Sequence, residues 1–234
     1  MPKSVMLFIP TMWDVPTSMS TYLMKVNSKY KIEVITTSKV LIHSARNLAI
    51  EKMIEHNSDY LIMIDSDNPC KYDNFVDVMV DNHKDIVSWI VRLRNRQEDL
   101  NICFEQVIEW MKAYINYQNI EWLWTLEEIG NCGSWLVCLS RKVCEDMIAN
   151  YPRPFENKYT YYIEKEAWWY VEFWPSIFRQ SWFKTNEQGW LNIRGRELSE
   201  DYLFFERAQS LGYKLYADTR LICKHLADQK FIEV

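Results

Sequence analysis

The chain has 234 residues, 48% of them hydrophobic and 25% charged, which suits one soluble globular domain with a substantial core. Its formal net charge of −5 gives no electrostatic reason to expect nucleic acid as a partner. No apolar run reaches the roughly 20 residues that cross a bilayer, and the opening MPKSVMLFIP is too short for a secretion signal, so a cytoplasmic location is expected.

SVMLFIP (4–10) is a short apolar run stopped by Pro10, as in a buried strand. A helix is predicted over about 17–28, then a second strand in YKIEVITT (30–37). SARNLAIEKMIEHN (44–57) carries apolar residues at helical spacing, with Ser44 placed to cap it. DYLIMID (59–65) reads as a third strand, YDNFVDVMVDNH (72–83) as a helix and DIVSWIVRL (85–93) as a fourth strand. Strands alternating with helices in this way predict a mostly parallel sheet built from βαβ units.

Farther along the pattern loosens. SWLVCLS (134–140) reads as a core strand, followed at once by the helix RKVCEDMIAN (141–150). Residues 151–190 contain Pro152, Pro154, Pro175 and a crowd of aromatics with no sustained period. SEDYLFFERAQSLG (199–212) is a well-marked helix: Ser199 can cap it, acids occupy its first turn, and Gly212 ends it. YKLYAD (213–218) and RLICKHL (220–226) read as short strands. No internal repeat or low-complexity linker interrupts the chain, so one α/β domain with an irregular insertion is expected.

Two features of composition bear on chemistry. The cysteines (Cys70, Cys103, Cys132, Cys138, Cys144, Cys223) form no CxxC pair and do not alternate with histidines at zinc-ligand spacing; reduced, buried thiols are expected. Glycine averages about 7% of residues, so roughly 16 would be ordinary at this length; the chain has 5, beside 11 tryptophans. Trp13, Trp168, Trp169 and Trp190 stand in loops or irregular stretches, where a backbone often needs the freedom of glycine. One reading is that several are UGA codons for glycine translated as tryptophan, an idea that UGG at all eleven codons would exclude. The other is an aromatic-rich protein.

YLIMIDSDNPC (60–70) drives an apolar strand into two aspartates with one serine between them. Ligands of open parallel sheets gather outside the carboxyl ends of the strands, where Asp65 and Asp67 fall. Alternate residues of an extended segment point the same way, so both carboxylates can face one ligand. Hard oxygen donors of this kind suit Mg²⁺ or Mn²⁺, whose shell is completed by phosphate oxygens and water. The alternative is that Asp65 caps a turn and Asp67 is solvated.

The order VMLFIPTM, ARNLAIEKM, DYLIMIDSDNPC resembles the nucleotide-binding half of GT-A glycosyltransferases, especially family 2-like members. IGNCGSWLVCLSRKVCEDM (129–147) is similar to the acceptor-side strand and helix of that family. LSEDYLFFERAQSLGYKLYADTRLICKHL (198–226) is similar to its Glu-Asp helix, Gly-Tyr-Lys turn and late histidine. The resemblance covers most of the chain and implies a single GT-A domain over 1–234. Its sheet would be Rossmann-like and mostly parallel, with residues 1–95 forming the nucleotide-sugar half and 96–234 the acceptor half. The chain departs from the family at Trp13, Trp89 and Trp135, where glycine is common. A tryptophan at 135 would crowd the acceptor pocket and put activity in doubt.

By that resemblance Asp65 lies near the ribose or metal, Asp67 is the more direct metal ligand, and His225 completes the metal or diphosphate site. Asp201 is the candidate general base, taking the proton from an acceptor hydroxyl as it attacks the anomeric carbon; acids in a first helical turn also serve simply to complement the helix dipole. Arg46 reaches the nucleotide base or phosphate, or covers the helix surface. Thr11 contacts the nucleoside, Asn47 orients the loop, and Arg220 and Lys224 lie near the diphosphate or in solvent.

The implied reaction is metal-dependent, inverting transfer of a sugar from a nucleoside-diphosphate sugar to an acceptor hydroxyl on a glycan, a lipid-linked molecule or a protein, with Mn²⁺ or Mg²⁺ as cofactor. The aromatic stretch YTYYIEKEAWWYVEFWPSIFRQSWF (159–183) fits an acceptor site, a peripheral membrane contact or, if several rings are recoded glycine, a loop that orders over the donor. A non-catalytic nucleotide-sugar binder or partner subunit is the main alternative. A haloacid-dehalogenase-type phosphatase fits less well, because Asn68 and Pro69 follow the aspartates and no later Asp-Asp pair is present. Nucleotidyltransferases need a glycine-rich, basic loop after the first strand, and PTMWDVPTS lacks the base.

Overall fold

The computed structural model describes residues 3–11, 14–38, 42–70, 72–93, 96–108, 111–117, 126–133, 136–150, 200–223, 225–227 and 230–232, together with four two-residue strands between 161 and 191. In the amino-terminal half the elements are β1 (Ser4–Pro10), α1 (Thr17–Leu23), β2 (Lys31–Thr37), α2 (Ile42–Glu55), β3 (Tyr60–Ile64), α3 (Phe75–Asp81) and β4 (Ile86–Ile90). Then come β5 (Arg92–Leu93), β6 (Arg96–Leu100), β7 (Ile102–Ile108), β8 (Met111–Asn116), β9 (Leu126–Ile129), β10 (Asn131–Cys132), β11 (Leu136–Ser140) and α4 (Arg141–Asn150). β12 (Tyr161–Tyr162) pairs with β13 (Val171–Glu172), and β14 (Phe183–Lys184) with β15 (Trp190–Leu191). The chain closes with α5 (Glu200–Ser210), β16 (Leu215–Ile222), β17 (His225–Ala227) and β18 (Lys230–Ile232).

Seven strands form the central sheet in the order β2-β1-β3-β11-β4-β16-β9. β1, β2, β3, β4 and β16 run in one direction, and β11 and β9 run against them. The expected Rossmann-like, mostly parallel α/β sheet is therefore present. Period-two alternation explains why helices cover both faces: Met6 and Phe8 of β1 join one core cluster, while Val5, Leu7 and Ile9 join the other. The first cluster packs under α2, α4 and α5, and the second under α1 and α3.

Some boundaries differ from the sequence expectation. The first helix stops at Leu23 rather than near 28, its last turn closing through Lys25 N–H to Tyr22 O and Val26 N–H to Leu23 O. The two strands expected over 213–226 are instead one strand, β16, whose register shifts between Ala217 and Ile222, followed by β17. Gly212 ends α5 with a φ of 91°, where Tyr213 N–H reaches Ala208 O at 3.1 Å. That left-handed closing turn explains glycine there.

Between β4 and β11 lies structure the sequence reading did not assign. β7 and β8 pair antiparallel, and β10 adds to β7. The join is fixed by Asn101, which is buried: its Nδ2 donates to Trp89 O at 2.9 Å and its Oδ1 accepts Val91 N–H at 2.8 Å. Its own N–H donates to Val91 O at 2.9 Å. One asparagine thus satisfies the backbone where β4 leaves the sheet. Trp89 is fully buried with its ring edge-on to Phe75, centroids 5.0 Å apart, and its indole N–H has no acceptor among the described residues. The irregular insertion and Trp13 and Trp135 lie outside the described residues apart from those short strands.

Candidate functional site

Register fixes which strand ends share an edge. Phe8 pairs with Met63, Ile64 with Leu136, and Ile90 with Ile222. The carboxyl ends of β1, β3, β4 and β16 therefore open on one rim of the sheet. Thr11 follows β1 there, Asp65 and Asp67 follow β3, and Cys223 and His225 follow β16.

Residues 61–64 of β3 are fully buried, so the chain leaves the core at Asp65. The turn after it is closed by Asn68 N–H donating to Asp65 O at 3.0 Å, and Asn68 Nδ2 donates to Asp67 Oδ1 at 3.0 Å. Asn68 is itself 1% exposed, so its side chain anchors the loop from inside. Thr11 ties the neighbouring strand end, its N–H bonding Thr37 O at 3.1 Å and its Oγ1 donating to Asp14 O at 3.4 Å.

Arg46 joins the elements. It lies in the second turn of α2 and is 1% exposed. Its Nη1 donates to Asp201 Oδ1, and its Nη2 to Asp65 Oδ1 at 3.5 Å. Asp201 stands in the first turn of α5, 155 residues along the chain from Arg46, and is buried. One guanidinium fork thus connects the strand-end loop to the Glu-Asp helix, as its planar geometry allows.

The electrostatics follow from that crowding. Burial pushes the Asp65 carboxyl up to about 7, and the charges of Asp201 and Asp67 add to the rise while Arg46 opposes it. The acid–acid repulsion and desolvation outweigh the single guanidinium at this carboxyl. Cys132 is fully buried nearby; burial raises its thiol well above the usual range, and the charge of Asp201 acts in the same direction. Asn131 Nδ2 donates to Tyr202 O at 3.3 Å and so pins the first turn of α5 to the small sheet.

The structure therefore brings together Asp65, Arg46 and Asp201, with Asp67 beside them, and places Thr11 on the same rim. His225 has its backbone in β17, paired with Ile232; its side chain lies outside the described residues. Among the described residues no cluster of three or more His, Cys, Asp or Glu is gathered as a metal site. The chemistry of the donor set still fits a hard divalent cation, since Asp65 and Asp67 supply oxygens only and such ions keep water and phosphate oxygens in their shell. Arg220 sits apart from this group. Its guanidinium is bidentate to buried Asp218 (2.9 and 2.6 Å) and also reaches Asn82 at 3.2 Å. Burial alone would raise Asp218, yet these hydrogen bonds hold it below the ordinary carboxylate range. Lys224 lies outside the described residues.

Sequence reasoning passed over three contributors: Asn101, Asn131 and Cys132. Each is a polar or thiol side chain in a short strand context with no periodic signal, and only tertiary pairing reveals it.

No family model matches the chain, and no curated protein matches it. Among solved structures it is similar to A197 from STIV, at 16% identity over 98% of this chain and 89% of that one, with a TM-score of 0.59. It also aligns with apo-UDP-glucose pyrophosphorylase at 8% identity, over 95% of this chain and 75% of that one, with a TM-score of 0.38. A third alignment is to CMP:2-keto-3-deoxy-manno-octonic acid synthetase complexed with CTP, at 10% identity over 64% and 78% of the two chains, with a TM-score of 0.33. The first likeness establishes a shared fold; the other two are too distant to carry an argument. Among the described residues no helix is long and apolar enough to cross a membrane.

Proposed function

We propose that the protein is a GT-A-type glycosyltransferase that moves a sugar, with inversion, from a nucleoside-diphosphate sugar to an acceptor hydroxyl. The observation that carries this reading is the Arg46 bridge between Asp65 at the end of β3 and Asp201 at the start of α5. A strand-end acid for the donor and a helix-start acid for the acceptor are needed in one place, and Arg46 holds them there.

In this mechanism the donor lies over the carboxyl rim with its diphosphate toward Asp65 and Asp67. Mg²⁺ or Mn²⁺ held by those two carboxylates, with His225 as a further ligand, would neutralise charge on the diphosphate. Thr11 faces the nucleoside. Asp201 accepts the proton of the acceptor hydroxyl as that oxygen attacks the anomeric carbon from the side opposite the diphosphate. Arg46 orients Asp201 through Oδ1 and keeps it at a fixed separation from the donor-side acid, so the two act as one preorganised unit.

Replacing Asp201 by Asn tests the assignment. Turnover of nucleoside-diphosphate sugars should fall about 10²- to 10⁴-fold, the usual contribution of a positioned base, while metal-dependent nucleotide binding persists. An unchanged rate removes Asp201 from the mechanism. Release of inorganic pyrophosphate from a nucleoside triphosphate and a sugar phosphate would replace sugar transfer by nucleotidyl transfer.

A further inference from the structure

Cys70 and Cys223 face each other across an isolated antiparallel bridge that joins the loop after Asp67 to the end of β16. Both are free thiols and both are buried. The Cys223 N–H is taken by Ile90 O at 3.0 Å. The two cysteines therefore do not exchange backbone hydrogen bonds with each other, and they form the closer kind of antiparallel pair, a class in which Cα atoms are typically about 4.5 Å apart. That spacing lies inside the range a disulfide spans, about 4.4–6.8 Å between Cα atoms. Cys103 and Cys132, the other cysteines on paired strands of one small sheet, are offset by one register step: Cys103 pairs with Asn131, and Cys132 with Ile102.

We propose that Cys70 and Cys223 form a reversible disulfide that ties the Asp65–Cys70 loop to the strand end leading to His225. The co-reactant is a small disulfide such as oxidised glutathione. Cys70 is the first to react, because it keeps 7% of its surface exposed while Cys223 has none. Its sulfur attacks one glutathione sulfur as the S–S bond of oxidised glutathione breaks, forming a mixed disulfide, and the Cys70 proton passes to the departing glutathione. The Cys223 sulfur then attacks Cys70, expels the second glutathione and passes its proton to that leaving group. Two thiols and one small disulfide become one protein disulfide and two glutathione thiols, so electrons and protons balance. Tyr72 N–H donates to Cys70 Sγ at 3.4 Å and fixes that sulfur in place.

The full chain, incubated with oxidised glutathione, alkylated under native conditions and mapped without reduction, tests this. A peptide linking Cys70 to Cys223 is expected, with the other four cysteines remaining thiols. The bond would close a loop of about 150 residues (223 − 70), so melting should rise by roughly 10 °C and fall back on adding dithiothreitol. Cys70→Ser and Cys223→Ser should each lack both the linked peptide and the rise. Cys70 and Cys223 both alkylated after oxidation, links scattered among the other cysteines, or oxidation of Cys70 to a sulfinic acid would each overturn the proposal. No metal or nucleotide enters the assay, so its outcome is separate from that of the sugar-transfer reading.

Discussion

The two rims of the sheet differ in how they treat charge. At the amino rim, Lys84, Lys142, Lys214, His83, Asp85 and Asp146 line an open cavity of about 390 Å³. There the charges are offset locally. Lys84 lies 4.5 Å over the Tyr216 ring and Lys142 5.4 Å over Tyr213. Asp146 accepts the Tyr213 hydroxyl at 2.5 Å, Asp85 accepts the Ser140 hydroxyl at 2.7 Å, and Lys214 pairs with Glu128 at 2.8 Å. At the carboxyl rim, Asp65 and Asp201 share one buried arginine with the charge of Asp67 nearby, and Asp65 is pushed toward neutral pH. A cavity with local neutralisation is ordinary surface; a crowded acidic cluster held against its own repulsion is where binding and chemistry gain most.

Arg46→Met attacks the comparison hardest. It leaves Asp65 and Asp201 without the guanidinium that joins them, and should cost about 3–5 kcal/mol in urea denaturation, as expected when one partner of a buried pair is removed. Adding Asp201→Asn to that variant should recover part of the loss, since one of the stranded charges is gone. A loss below about 1 kcal/mol would mean that the bridge is not structural.

Asp65 gives a pH signature. Its carboxyl sits near 7 in the folded protein against an ordinary value of 3.8. The folded state holds the extra proton, so this group's stabilisation is complete below the ordinary value and is lost as pH rises through about 7. Between pH 5 and 8 the ligand-free protein should lose on the order of 2 kcal/mol from this source. Asp65→Asn should flatten that part of the profile. An identical slope in the variant would contradict the crowding.

The amino rim should respond least. Lys84→Ala and Lys142→Ala remove cations stacked on the half-buried Tyr216 ring and the buried Tyr213 ring, each costing about 0.5–1 kcal/mol in melting experiments. Neither should alter nucleotide binding. A measurable change in nucleotide affinity would blur the distinction between the rims.

Much of the fold was legible because the periodic segments are long and apolar. Residues 4–10, 141–150 and the helix opening at Glu200 fall where the pattern puts them, and Asp65 follows a strand as expected. Residues 96–132 were not legible: their strands mix charged and amide side chains among the apolar ones, and β7, β8 and β10 gain their identity only by pairing. For the site, the aspartate pair announced itself through its position after an apolar run. The Arg46–Asp201 contact did not, since 155 residues separate the partners and no local signal joins them. The sequence offers Arg46 either for a donor base or phosphate or for covering the helix surface; in the fold its fork lies against two carboxylates. Trp89 shows the limit of composition alone: its ring fills the space beside Phe75 while its N–H lacks an acceptor, so the codon at this position, UGA or UGG, decides whether glycine is the natural residue.

The central claim, that Asp65 and Asp67 hold a divalent cation against a diphosphate, is tested most directly by calorimetric titration of UDP, GDP and dTDP with and without Mn²⁺. At least one nucleotide should bind only when the metal is present, and Asp65→Asn and Asp67→Asn should each weaken that binding at least tenfold, a loss of about 1.4 kcal/mol. Equal nucleotide affinity in the presence of a chelator, or unchanged metal-dependent binding in both variants, would contradict the account.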